Sequence, residues 1–308
     1  MSQTQVSVVI VNYNTKDLTA AAVRCVFEKT KDIIFEIIAV DNASTDGSLQ
    51  ALKKEFGEKI TLIESSVNLG FGGANNLGIK SSKGEFVFLL NSDTVLINNA
   101  IYILYEFMKQ NPQAGVCGGN LYNKDGKPTY SFCKNTLREN ESALIKIFKS
   151  IKQRLSGKMT DFFNYSDKAL EVDGIIGADM MIRKSVLDAT GLFDEDFFLY
   201  LEESELTARI KKSGFLSYCI PQAKIVHLEG ASFKTPHDYE RKARAYSYSS
   251  FLYYEKVYGK EAVKKHYKER LRFVRLLRLF SLGLLSKECS KRKRIIEEEY
   301  AKWAKNRK

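Results

Sequence analysis

EFVFLLNSDT, residues 85–94, sets five consecutive apolar side chains in front of four polar ones. A strand that is apolar on both faces has to be covered on both. That is the mark of a parallel sheet packed between helices, not of a sheet with one wet face. In open sheets of this kind ligands meet the carboxyl ends of the strands. Asn91, Ser92 and Asp93 therefore stand where a ligand is expected.

The same alternation runs upstream. Residues 6–11 form an apolar, β-branched strand followed by a helical stretch over about 16–28. A second strand spans 36–40 with a helix over about 46–56, and a third spans 59–63 with a helix over 73–81. Polar clusters follow the strands: Asn12-Tyr13-Asn14 after the first and Asp41-Asn42-Ala43-Ser44 after the second. Downstream of 112 the pattern loosens. Short strands are expected over 114–121, 128–133, 174–183, 216–220 and 224–226, and a helix over 201–213. Residues 135–173 have no clear period and read as a lysine-rich loop. From about 238 onward the chain reads as helical. The fold class is therefore α/β. A body over 1–237 divides into halves of about 1–112 and 113–237, followed by a helical extension over 238–308.

With 308 residues, 44% hydrophobic and 28% charged, the chain can bury a sizeable core. No apolar run approaches the roughly 20 residues of a membrane-spanning helix. The N-terminal stretch lacks a basic leader and is too β-branched for a signal peptide. Five widely spaced cysteines without any CxxC argue against a disulfide framework or a zinc site and fit a reducing cytosol. The net charge of +11 is uneven: residues 241–308 hold 21 Lys+Arg against 7 Asp+Glu, and the rest 27 against 30. A near-neutral body thus carries a basic tail suited to an anionic partner.

Several residues could carry chemistry, and each has a plainer reading. Asp93 is a turn or capping residue, or a ligand for a divalent cation shared with phosphate oxygens. Asp41 ends a strand where a carboxylate can accept the imide N–H of a pyrimidine, beside Tyr13, whose ring could stack on a base. Thr45 or Asp46 reads as a helix cap. The run 68–78, NLGFGGANNLG, lacks the third glycine of a dinucleotide fingerprint and follows the third strand, so that fingerprint is disfavoured. It still lets backbone approach a ligand. Glu202, Glu203 and Glu205 open a helix, where carboxylates complement the dipole.

In order, VSVVIVNYN, IIAVDNASTDGS, NLGFGGANNLGI, LLNSDT, GADMMIR, GLFDEDFFLYLEESELTARIKKSG and VHLEGAS cover about residues 6–232. This series resembles glycosyltransferase family 2, inverting nucleotide-sugar transferases of the Rossmann-like GT-A fold, and within it the bacterial rhamnosyltransferase-like branch. The resemblance implies a nucleoside-diphosphate sugar donor, plausibly a dTDP- or UDP-sugar, and a cell-surface polysaccharide or lipid-linked glycan acceptor. It implies Mn2+ or Mg2+ held by Asp93 and His227. It gives Asn12, Tyr13, Asp41, Asn68, Phe71, Asn75 and Ser92 to the nucleotide, and Asp179 and Glu202 to the donor-sugar and acceptor pocket. Glu203 becomes the general base, with Glu202 as fallback. Here the chain departs from the family's Glu-Asp-x-Asp-Leu, because Glu203 and Glu205 replace aspartates. A catalytically silent relative therefore stays open. A sugar nucleotidyltransferase is disfavoured, because VNYNTKD lacks that class's glycine-rich, basic signature. Arg209, Lys224 and the 230–232 turn are open as phosphate contacts.

In the tail, Arg270, Arg272, Arg275 and Arg278 interleave with apolar residues. Residues 270–308 fit a helix lying on an anionic membrane surface, which would place a cytoplasmic protein peripherally at the inner face of the plasma membrane. Packing on the core or on a second copy reads the same pattern equally well, so a homo-oligomer stays open. No nucleic-acid-binding module accompanies the charge.

Overall fold

The computed structural model describes residues 3–133, 162–228, 236–281 and 285–307. Most of the expected lysine-rich loop and the 230–232 turn lie outside the described residues. The chain forms two units. Among described residues the first comprises 3–133, 162–198 and 202–228, and the second 199–201, 236–281 and 285–307.

The first unit is built on strands β1 (Val6–Asn12), β2 (Phe35–Asn42), β3 (Thr61–Ser65), β4 (Phe86–Asn91), β5 (Thr94–Leu96), β6 (Ala114–Tyr122), β8 (Leu170–Val172), β10 (Asp179–Arg183) and β11 (Leu216–His227). Their order is β3-β2-β1-β4-β10-β6-β11-β5, with β8 against β11; β7 (Phe132–Cys133) and β9 (Gly174–Ile175) form a separate pair. The strands β3, β2, β1 and β4 are parallel, whereas β10 runs antiparallel between β4 and β6. The expected α/β architecture is thus a mostly parallel sheet with antiparallel insertions.

Why the strands read as continuously apolar is visible in the packing. In β1, Val6, Val8 and Ile10 join one core with helix α1 (Lys16–Lys29), through Val23 and Val26, and with α4 (Ala100–Gln110), through Leu104 and Met108. Val9 faces the other way, into a core with Ala74 and Ile79 of α3 (Gly70–Ser81). Both faces are dry, so period two vanishes from the sequence. Helix α2 (Ser48–Phe56) packs Leu52 and Phe56 on the first face, and the short α5 (Lys184–Thr190) packs Val186 and Leu187 on the second.

The helix expected from residue 73 starts at Gly70, because its glycines serve close packing. A β-carbon on Gly70 would lie 2.0 Å from the Phe198 carbonyl oxygen, and one on Gly78 2.3 Å from Val9 Cγ1. The two late strands are one, β11, with a register shift between Ile220 and Lys224, around Pro221. Proline cannot donate to the ladder, which explains both the bulge and the sequence's apparent break.

The second unit contains α7 (Pro236–Tyr258), α8 (Lys260–Phe280) and α9 (Ser286–Lys305), with Gly259 at φ 88° between the first two. Phe251 is fully buried at its centre, and the Tyr267 and Tyr300 rings stack at 3.9 Å. Trp303 Nε1 and Arg307 Nε both donate to Glu255 Oε2 at 2.9 Å.

Candidate active site

Parallel pairing places Asn12 level with Asp41 and Val11 level with Asn91, so these strand tips share one edge. Asp41 is buried, and both carboxylate oxygens are engaged. Oδ1 accepts Asn12 Nδ2 at 2.7 Å and Oδ2 accepts the Ser44 N–H at 3.1 Å. Asn12 Oδ1 accepts the hydroxyls of Thr15 and Thr19 at 3.0 and 2.7 Å, and Thr15 Oγ1 lies 3.1 Å from Ser92 Oγ. One chain of hydrogen bonds therefore joins the ends of β1, β2 and β4. Beside it Tyr13 is 43% exposed, a ring left open to solvent.

Asp46 anchors two helices at once. One oxygen accepts the first N–H of α1, from Lys16 at 3.0 Å. The other accepts Ser48 N–H at 3.0 Å, the first of α2, together with the Ser48 hydroxyl. Burial works to raise its pKa, but the hydrogen bonds from Ser48 and Lys16 outweigh it and the carboxyl sits below its ordinary value. The glycine-rich entry to α3 is bracketed in the same way. Asn42 Nδ2 donates to Asn68 Oδ1 at 3.0 Å, and Asn42 Oδ1 accepts the Leu69 N–H at 2.8 Å. Asn75 turns back to the Phe71 carbonyl at 3.0 Å, and Asn76 ties the helix to Phe193.

Asp93 and His227 meet across the β5–β11 ladder, in which His227 pairs with Thr94. His227 Nε2 lies 3.3 Å from Asp93 Oδ1 and 3.4 Å from Asn91 Nδ2. Neighbouring ligands on an octahedral cation with bonds of about 2.1 Å stand about 3 Å apart, so these two atoms fit adjacent positions on one ion. Among the described residues no group of three or more His, Cys, Asp or Glu side chains is placed to hold a metal. The remaining ligands would have to be phosphate and water oxygens.

Asp179 is wholly buried opposite Leu90 of β4. Its Oδ2 accepts the Gly119 N–H at 2.6 Å, while Oδ1 has no partner among the described residues. Burial pushes this carboxyl well above the carboxylate range, only partly offset by the Gly119 bond.

Helix α6 (Glu202–Lys212) gives its three opening acids different surroundings. Glu205 is held by Arg209 at 2.7 and 3.0 Å. The same guanidinium donates to the carbonyls of Thr190 and Leu192 at 2.6 and 2.7 Å. Arg209, open in the sequence as a phosphate contact, is thus committed to structure. Glu202 is buried with Oε2 unpartnered; burial first, and then the charge of Glu203, raise its pKa well above normal. Glu203 is only partly buried. A β-carbon on Gly177 would lie 3.9 Å from Glu203 Cβ and 3.2 Å from the Phe71 ring, and the next residue, Ala178, accepts the Asn91 N–H at 3.0 Å. Glu203 therefore sits beyond the tip of β4. Just before Glu202 in the chain, Tyr200 and Leu201 hold φ of 73° and 69°. Bulky residues rarely adopt that conformation, and such strain gathers at functional sites.

A sequence profile described as "Glycosyl transferase family 2" matches residues 7–190. The chain belongs to glycosyltransferase family 2. Its sheet unit is accordingly a GT-A fold. An N-acetylglucosaminyl-diphospho-decaprenol L-rhamnosyltransferase of Mycobacterium tuberculosis (strain ATCC 25618 / H37Rv) is 26% identical over 204 residues, 62% of this chain and 66% of the relative. The low-salt glycan biosynthesis hexosyltransferase Agl10 of Haloferax volcanii is 27% identical over 67% of this chain and 61% of its own length. A poly(ribitol-phosphate) beta-glucosyltransferase of Bacillus spizizenii is 36% identical over 40% of this chain and 20% of its own. The matches thus span just under two thirds of these relatives' lengths, or less. In this family 2 member Thr15, Asn42, Ser44 and Asn76, to which the sequence assigns no individual role, hold neighbouring residues in place. Asn42 and Ser44 stand inside the polar cluster after the second strand, and Asn76 inside the glycine-rich run. Thr15 carries no local signal.

Proposed function

We propose that this chain is an inverting glycosyltransferase that moves a sugar, plausibly rhamnose, from a dTDP- or UDP-sugar to a cell-surface polysaccharide or lipid-linked glycan. The observation that carries it is the convergence of Asp41, Ser92, Asp93, His227 and Glu203 at one edge of the sheet. Tyr13 would stack on the base, and Asp41, which keeps a further lone pair on each oxygen, would accept its imide N–H. Asn12 and Ser92 hold that tip, while Asn68, Phe71 and Asn75 form the wall on the nucleoside side. Asp93 and His227 would hold Mn2+ or Mg2+, whose charge offsets that of the departing diphosphate; an imidazole ligand favours the softer Mn2+.

Glu203 is the base. It takes the proton of the acceptor hydroxyl as that oxygen bonds to the anomeric carbon, and the carbon–oxygen bond to the diphosphate breaks with its electron pair leaving on phosphate. Glu202 suits this role less, because it is buried, and burial first and then the charge of Glu203 push its pKa well above the ordinary carboxylate range. Asp179 would line the donor-sugar pocket and support its floor through Gly119.

The membrane proposal concerns the second unit. Leu279 and Phe280 are 70% and 60% exposed at the end of α8, among exposed Arg272, Arg275 and Arg278, which suits an anionic bilayer surface. No helix among the described residues is long and apolar enough to cross a membrane. All five cysteines are free and buried, which supports action on the cytoplasmic side.

The test is Glu203→Gln assayed with a donor panel and Mn2+. Donor binding should stay within about twofold, while transfer or donor hydrolysis falls by about 10²–10⁴. Loss of binding in the variant would remove Glu203 from the base role. Binding without turnover in the wild-type chain would make it a catalytically silent relative.

A further inference from the structure

Helices α7, α8 and α9 line a half-open cavity of about 250 Å³. Its wall combines apolar Phe273, Ile295 and Ile296 with Arg270, Arg292, His266 and the carboxylate of Glu269. That volume is below the roughly 300–1,000 Å³ of sites for drug-sized ligands, so it suits a small head group. The group without an explanation is Arg270. Its Nη1 donates to Ser247 Oγ at 2.9 Å and Ser250 Oγ at 2.8 Å, and the guanidinium lies 5.6 Å from the Phe251 ring centroid. Every one of those partners is neutral. Among the described residues no carboxylate pairs with it; Glu269, which also lines the cavity, is held by Arg272 at 2.6 Å.

The other partly buried arginines of this unit are treated differently. Arg244 is met by Glu240, Glu298 and Glu299 at 3.0, 2.7 and 3.1 Å, and Arg307 by Glu255 at 2.9 Å. Withdrawing a guanidinium from water without a counter-charge is costly. A fork with free N–H groups matches phosphate geometry, and cavity-lining Arg292, though paired with Glu288 at 2.8 Å, is half-exposed and can add a second fork.

We infer that this cavity binds a phosphate-bearing organic anion, its oxygens on Arg270 and its hydrocarbon against Phe273, Ile295 and Ile296. A small phosphate ester and a lipid head group share that chemistry. The inference does not depend on glycosyl transfer, so Mn2+-dependent nucleotide-sugar binding serves as the control for folding.

The experiment is calorimetric titration of the full chain with hexyl phosphate, inorganic phosphate and hexanol, repeated in Arg270→Met and in the milder Arg292→Gln. Hexyl phosphate should bind saturably and at least about tenfold more tightly than either fragment, with about tenfold or greater loss in Arg270→Met and a smaller loss in Arg292→Gln. Nucleotide-sugar binding should be unchanged in both variants. Competition by phosphatidate vesicles would assign a lipid source, and competition by soluble esters alone a small metabolite; both support the site. Absence of saturable binding, or equal affinity in wild type and both variants, overturns it.

Discussion

Burial pushes the carboxyls of Asp179 and Glu202 well above the ordinary carboxylate range, and each has an oxygen without a partner among the described residues. For Asp179 the consequence can be read in stability. A folded-state pKa raised above the unfolded value near 3.9 gives a contribution that is whole below about pH 4 and is lost as pH rises toward the folded pKa. Over that window the loss is about 1.4 kcal/mol per pH unit while the carboxyl stays protonated in the fold and ionised in the unfolded chain. Asparagine keeps an oxygen for the Gly119 N–H and cannot titrate. In Asp179→Asn the fall in unfolding free energy between pH 5 and pH 8 should therefore be shallower by up to that amount per unit, as measured by urea titration at each pH. Parallel slopes in the two proteins would mean that Asp179 titrates normally. At this scale the sequence singled out these carboxylates without separating their surroundings: burial parts Glu202 from Glu203, and Arg209 holds Glu205. The Glu205–Arg209 pair is legible as an i,i+4 spacing on one helix, whereas the burial of Glu202 has no local signature because it depends on residues distant in the chain.

Among elements, β1, β2 and β4 were plain in the sequence because each is apolar on both faces, and two covered faces leave no alternation to obscure them. What stayed hidden is the three-residue β5. It is too short to show any period, yet its antiparallel pairing with β11 is what carries His227 to Asp93. The glycines of α3 lack the dinucleotide fingerprint but left a close backbone approach to a ligand open, whereas Gly70 and Gly78 are explained by backbone and Val9 pressing on them. The same scale sets the membrane proposal. Leu279 and Phe280 end α8, Leu285 precedes α9 at 39% exposure, and the arginines of α8 stand behind them. Apolar tips and basic flanks act together on an anionic surface. Co-sedimentation with vesicles should rise with anionic lipid content and fall severalfold in a Leu279→Ser, Phe280→Ser variant or at high salt. Equal pelleting with neutral and anionic vesicles would rule the surface out.

For the whole molecule, the charge division is the organising fact: residues 241–308 carry 21 basic against 7 acidic side chains, the remainder 27 against 30. The first 240 residues, near neutral in sum, can bring carboxylates to one edge of the sheet because a bound cation, not a basic surface, would balance the donor's diphosphate. Asp93 and His227, 3.3 Å apart, are the pair on which that depends. The direct measurement is calorimetric titration of dTDP- and UDP-sugars into wild type and Asp93→Asn, with and without Mn2+. Donor affinity should rise at least about tenfold on adding Mn2+ to the wild type, and that gain should vanish in Asp93→Asn. Equal affinity with and without the cation, or an undiminished gain in the variant, would contradict the account.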